Sequence, residues 1–210
     1  MGKVDRGASV LTQSIMVPEG IGDIEAEINE IYLDGKLNRA ELIDDREKSF
    51  GIFIHSLILS NSDYISGTDI ENINSGEIEG AISKFTVSKG FDKGLIESVA
   101  PKIADLTFEN EKDMRVSTHL INGRLRFITR GMPDELLKRC TYVLFESKLV
   151  KLTRRIFREV NDAWKNMVNK GLEVFALGIK DFSNLPERLE LDIIADNMAL
   201  VALVGVARNN

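Results

Sequence analysis

The stretch Arg115-Val-Ser-Thr-His-Leu-Ile121-Asn122-Gly123-Arg124-Leu-Arg-Phe-Ile-Thr-Arg130-Gly131-Met-Pro133-Asp-Glu-Leu-Leu-Lys-Arg139-Cys140 organises the reading of the whole chain. Asn122-Gly123 is the dipeptide that best tolerates the positive φ angles of a type I′ turn. The residues on either side of it alternate. Val116, Thr118 and Leu120 share one face of a first strand, and Leu125, Phe127 and Thr129 share one face of a second. The hairpin ends at Arg130-Gly131, and Pro133 suits the first turn of a short helix carrying Leu136 and Leu137.

Upstream of this unit, Glu25 to Leu33 alternates as a strand, Asp34-Gly35 signals a turn, and Leu37 to Ile43 is expected to return as a second strand. A helix follows, with Asp44 or Asp45 as its cap and Phe50, Phe53, Ile54, Leu57 and Ile58 on one face. Residues 61–75 are rich in Ser, Asn and Asp and read as a surface loop. A second helix, with Glu79 in its first turn, runs to a stop at Lys89-Gly90. Downstream, Tyr142 to Phe145 is a short apolar segment. A longer helix is expected from about Leu149 to Asn169, with Leu152, Ile156, Val160, Ala163, Trp164 and Met167 on one face. Strands are expected over 172–178 and 199–206. Strands and helices do not alternate in the regular manner of a parallel sheet. The expected class is α+β, a mainly antiparallel β-sheet flanked by helices.

Composition bounds the partners. The 210 residues are 43% hydrophobic and 29% charged, ordinary for a globular chain long enough to bury a core. A net charge of −6 argues against nucleic acid, because phosphate neutralisation needs a basic surface. A single cysteine, Cys140, rules out an intramolecular disulfide and fits a reducing compartment. No run approaches the roughly 18 apolar residues of a membrane span, and the first residues lack the apolar core of a signal peptide. These features lead one to expect a soluble piece of a cytoplasmic protein. His55 falls on a helix and His119 on a strand, so no metal site is expected, and no Ser/His/Asp or Cys/His set suggests a catalytic residue.

The central unit resembles the nucleotide-binding (N) domain of P-type cation-transporting ATPases. In that family a segment similar to F-D-S-E-R-K-R-M-S-V leads into a hairpin, then K-G-A-P-E and a helix often closing with E-R-C. The counterparts are Phe108 to Val116, Arg130-Gly131-Met132-Pro133-Asp134, and Lys138-Arg139-Cys140. Other blocks follow in the family's order. Leu11-Thr12-Gln13 and Met16-Val17 resemble the exit from the phosphorylation motif D-K-T-G-T-L-T, although Arg6 stands where the phosphorylated Asp belongs and Asp5 fits only with an inserted residue. Ser56 to Ser62 resembles A-L-C-N-N-A, and Glu79-Gly80-Ala81 matches the end of G-D-P-T-E-G-A-L, with Ser75-Gly76-Glu77-Ile78 replacing Gly-Asp-Pro-Thr. Leu172 to Ile179 resembles G-L-R-V-L-A-L-A with Glu173 in place of Arg, and residues 199–206 resemble F-L-G-L-V-G-I.

The resemblance implies a division into residues 1–22, the remnant of a linker from a phosphorylation domain, and residues 23–210, the nucleotide-binding domain. It implies ATP as ligand, with Mg²⁺ in the parent protein. Phe108 would stack on adenine, Glu79 would accept from its amino group, Lys112 would face the phosphates, Arg130 would hold the pocket floor, and Gly131 would let backbone approach the ligand. The spacing from Phe108 to Lys112 is one residue shorter than usual, and Glu173 sets negative charge where phosphate is to be met. Read on residues alone, Phe108 is core, Lys112 a solvated turn residue and Arg130 a strand-end surface charge. The expected partners are adenine nucleotide and the phosphorylation and membrane domains of a transporter, at the cytoplasmic face of a membrane. The chain alone is expected to be inactive. The alternative is an N-domain-like module with weak or no nucleotide binding, kept for interaction or regulation.

Overall fold

The computed structural model describes residues 25–61, 73–108 and 114–209. Its elements are β1 (Glu25–Leu33), β2 (Lys36–Arg39), α1 (Lys48–Leu59), α2 (Ile73–Ser88), α3 (Lys93–Val99), β3 (Lys102–Thr107), β4 (Arg115–Ile121), β5 (Arg124–Gly131), α4 (Pro133–Arg139), β6 (Cys140–Phe145), β7 (Lys148–Lys151), α5 (Arg154–Asn169), β8 (Glu173–Phe182), α6 (Leu191–Ile194) and β9 (Met198–Asn209). The strands form one sheet in the order β2-β1-β9-β8-β5-β4-β3, with β6 joined to β9 and β7 to β6. Every pairing is antiparallel except β6 with β9. The fold is therefore α+β and mainly antiparallel, as the turn chemistry implied.

Helices cover both faces of the sheet. On one, Phe53, Ile54 and Leu57 of α1, Ala81 and Ile82 of α2 and Ile96 of α3 pack on Ile31, Phe175, Leu177 and Val204. On the other, Leu136 of α4, Val160 and Met167 of α5 and Ile194 of α6 pack on Val116, Phe127, Val174 and Leu203. The period-2 alternation of strand side chains sorts neighbouring residues between these two cores. Val174 and Phe175, adjacent in β8, belong to different cores.

The hairpin forms in the expected register, with Ile121 opposite Arg124 and Val116 opposite Thr129. Asn122 and Gly123 take φ values of 50° and 76°, as a type I′ turn requires. Pro133 opens α4. Elsewhere the boundaries move. The return strand expected to reach Ile43 stops at Arg39 and becomes a 3₁₀ turn over Ala40–Leu42. Glu47, rather than Asp44 or Asp45, is the N-cap of α1; Asp44 instead accepts from the Arg46 backbone N–H at 3.0 Å. Residues 149–151, expected to begin a long helix, belong to β7, and Thr153 caps the start of α5 by accepting from Ile156 N. α2 begins at Ile73, so Glu79 sits past its first turn. The proposed linker over 1–22, including Asp5 and Arg6, and most of the 61–75 loop lie outside the described residues.

Candidate functional site

Where β4 and β5 leave their hairpin, Arg115 and Arg130 stand directly opposite one another. Two like charges in that register repel. Glu79 resolves the conflict from above: α2 packs on the sheet through Ala81 and Ile82 and lowers the Glu79 carboxylate between the two guanidiniums. Arg130 forks onto both Glu79 oxygens, Nη1 donating to Oε2 at 3.1 Å and Nη2 to Oε1. Arg115 Nη1 donates to Oε1 at 3.2 Å. The side chains of Arg130 and Glu79 are 7% and 16% exposed, that of Arg115 38%. The Arg130 guanidinium also lies 5.6 Å from the centroid of the Phe175 ring, an arrangement that favours a planar cation over an aromatic face.

A second charge cluster involves Glu77, two residues earlier in α2. Arg208 of β9 donates to Glu173 of β8 and sits 3.2 Å from Glu77 Oε2, an ion-pair contact outside hydrogen-bond alignment. Glu173 is thus answered by a cation from the neighbouring strand. Glu77, Glu79 and Glu173 balance Arg115, Arg130 and Arg208, and the carboxylates of α2 are stitched to strands β4, β5 and β9. Two grooves, of about 480 Å³ beside Ala81 and Phe85 and about 660 Å³ between Leu137, Leu152 and Phe157, lie elsewhere. The space between Glu79 and the sheet is filled by arginine.

Of the residues singled out in the sequence, the fold brings Glu79 and Arg130 into contact and sets Gly131, buried, at the end of β5 opposite Ala176. Phe108 is placed apart from them. It is half-buried and packs with Leu106 and Met114 into the core on the α4–α6 side. Thr107, paired with Arg115, is the residue of β3 that shares the Glu79 face, as strand alternation dictates. Lys112 lies outside the described residues. Sequence reasoning missed Arg115, Phe175 and Arg208. The signal for Arg115 was its hairpin register opposite Arg130; Phe175 and Arg208 needed the pairing of β8 with β9, which no turn announces.

His119, beneath this face, is fully buried. Its Nδ1 lies 3.2 Å from the Ala100 carbonyl and its Nε2 3.1 Å from that of Leu59, so it ties β4 to the ends of α1 and α3. Burial pushes its pKa below the usual histidine value. Among the described residues no three His, Cys, Asp or Glu side chains converge as metal ligands.

Residues 50–207, from α1 to β9, match the family model described as P-type ATPase, cytoplasmic domain N. The chain belongs to this family. The N domain is 21% identical over 179 residues to calcium-transporting ATPase 1 of Bacillus cereus (strain ATCC 10987 / NRS 248), covering 85% of this chain and 20% of that protein. It is 24% identical over 159 residues to a calcium-transporting ATPase of Listeria monocytogenes serovar 1/2a, covering 74% of this chain and 18% of the relative. It is 22% identical over 170 residues to calcium-transporting ATPase 1 of Lactococcus lactis subsp. lactis, with 80% and 18% covered. The N domain spans about a fifth of the length of these relatives. Among its described residues no helix is long and apolar enough to cross a membrane.

Proposed function

We propose that this N domain takes up ATP and presents it to the phosphorylation domain of a cation-transporting P-type ATPase at the cytoplasmic face of a membrane. The observation that carries the reading is the meeting of Glu79 and Arg130. They are 51 positions apart in sequence, and they close together over Phe175 at the end of the hairpin. The resemblance assigns these two positions to the base amino group and the pocket floor. The relatives are named for calcium transport, which makes Ca²⁺ the proposed cargo of the parent. Residues 23–210 are the nucleotide-binding unit in this reading and residues 1–22 the linker to the phosphorylation domain.

The chemistry asked of the domain is binding and delivery. A nucleotide needs a flat apolar surface for its base and cations for its phosphates. Arg115, more than a third exposed, flanks the Glu79 carboxylate and supplies a cation, while Arg208 is engaged by Glu77 and Glu173. Lys112 joins Arg115 on the strength of the resemblance. The resemblance gives the base to Phe108, half-buried against the α4–α6 core, whereas Phe175, on the Glu79 face, is 5% exposed beneath Arg130 and supports that guanidinium. Mg²⁺ would arrive with ATP in the parent protein and screen its phosphates.

Amide NMR titration of the 210-residue chain with Mg-ATP tests the reading. Saturable shifts centred on Glu79, Arg115 and Arg130 are expected. If no resonance moves at millimolar ATP, the domain does not bind nucleotide. The ion cluster then serves only to stitch α2 to the sheet, and the chain acts as an interaction module.

A further inference from the structure

On the reading above, the Glu79 carboxylate is reserved for the amino group of a base, yet that carboxylate is already engaged. Oε1 receives N–H groups from both Arg115 and Arg130, and Oε2 receives one from Arg130. A carboxylate offers about four acceptor positions in all. A single one is left, on Oε2.

Release of Glu79 is not an easy alternative. Arg130 is 7% exposed and stacks over Phe175, so freeing its carboxylate would leave a buried cation without a partner. Such a break costs on the order of a hundredfold or more in any affinity coupled to it. The arrangement met by a ligand is therefore the paired one. Its outward edge is rich in donors, because Arg115 is 38% exposed and uses one of its five N–H groups on Glu79.

Purine bases differ at this edge. Adenine sets an amino donor beside the N7 acceptor, whereas a 6-oxo purine sets two acceptors side by side, O6 and N7, which match a guanidinium fork. A donor edge meets the adenine amino group as like meets like. We infer that Arg115 and Arg130 set base selection at this site, so that it takes a 6-oxo purine nucleotide at least as readily as ATP. The inference rests on the reading that a nucleotide enters beside Glu79.

Inosine triphosphate and ATP share sugar, phosphates and N7 and differ at position 6, oxo in one and amino in the other, with N1 carrying a proton only in the first, so the pair compares the two base edges directly. Both are titrated into the 210-residue chain with Mg²⁺, and dissociation constants are read by calorimetry or NMR. Inosine triphosphate is expected to bind as tightly as ATP or more tightly. The variant carrying Arg115→Ser with Arg130→Lys returns acceptor capacity to Glu79 and should move the ratio about tenfold toward ATP, the worth of one charge-assisted hydrogen bond. ATP binding more than threefold tighter than inosine triphosphate in the unaltered chain overturns the inference and leaves nucleotide binding standing. So does an unmoved ratio in the double variant. Absence of binding by either nucleotide overturns both readings. Should the double variant fail to fold, the comparison in the unaltered chain decides alone.

Discussion

Arg115 and Arg130 can face each other across β4 and β5 only because Glu79 lies between them. Replacing Glu79 with Ala leaves two opposed cations, one of them buried, and should cost about 3 kcal/mol, the lower range for breaking a buried pair. Arg115 remains half-solvated, which keeps the loss from being larger. Adding Arg130→Met to Glu79→Ala should recover most of that loss, because the buried charge is then gone. Urea denaturation midpoints of the two variants check both statements. His119 makes a pH-dependent counterpart. Desolvation lowers its pKa most, the carbonyls of Ala100 and Leu59 draw it part-way back, Lys102 lowers it and Asp105 raises it slightly. A neutral ring donates to one carbonyl only. Since the folded-state pKa lies below the unfolded one, the unfolded chain binds the extra proton first. Stability is then full above the usual histidine value and falls as pH drops through it. Between about pH 7.5 and about pH 5.5 the urea midpoint should decline more in the unaltered protein than in His119→Gln. His55, also shifted down by burial, contributes equally to both proteins, so the difference belongs to His119.

Turns separate what the sequence discloses from what only packing can. Gly35 and Gly123 occupy the same position of two hairpin turns, with φ of 82° and 76°. A Cβ on Gly123 would meet open space, whereas one on Gly35 would stand 2.5 Å from Cε2 of Phe145. Gly123→Ala should therefore cost about 1 kcal/mol, the left-handed backbone penalty alone. Gly35→Ala should cost about 2–3 kcal/mol, because the Phe145 ring must also move. Thermal unfolding would show Gly35→Ala several degrees below Gly123→Ala, at about 2–4 °C per kcal/mol for a chain of this size. Asn122-Gly123 and Asp34-Gly35 announced both turns from the sequence. Glu146-Ser147, the turn between β6 and β7, has φ values of 49° and 57° without a glycine, and its Ser147 N–H is held at 2.6 Å by the Asp34 side chain, 113 positions away. No local pattern discloses that contact, which is why Leu149 to Lys151 read as helix. β3 was likewise illegible: an edge strand with exposed Ile103 and Asp105 lacks clean alternation, and without it the face of Phe108 could not be assigned. Glu79 and Arg130 were legible by resemblance as separate positions. Their mutual engagement was not, because it depends on how far α2 slides over the sheet.

At the scale of the whole molecule, a single sheet with helices on both faces holds the charge cluster at one end of the α2 side. The groups gathered there are guanidiniums, carboxylates and one ring. On the proposed function their task is to bind and orient a nucleotide. Phosphoryl transfer needs more, namely a nucleophile in line with the leaving oxygen and charge neutralisation of the moving group. None of Glu77, Glu79 or Glu173 is poised for that role, since each faces an arginine. Asp5, the acidic residue that comes nearest to the family's phosphorylated position, is followed by Arg6 rather than by Lys-Thr-Gly. The 210-residue chain incubated with γ-labelled Mg-ATP should accordingly hold its ligand without taking up phosphate. Binding and turnover then separate in two measurements. At a ligand concentration about ten times the dissociation constant, ATP should stabilise the fold by about 1.4 kcal/mol. That corresponds to a rise of roughly 3–6 °C in Tm. Acid-stable label on the protein should stay at background. Label that is incorporated and then lost in Asp5→Asn would show that the chain carries its own phosphorylation site. A domain that binds and delivers would have to give way to one that also accepts the phosphoryl group.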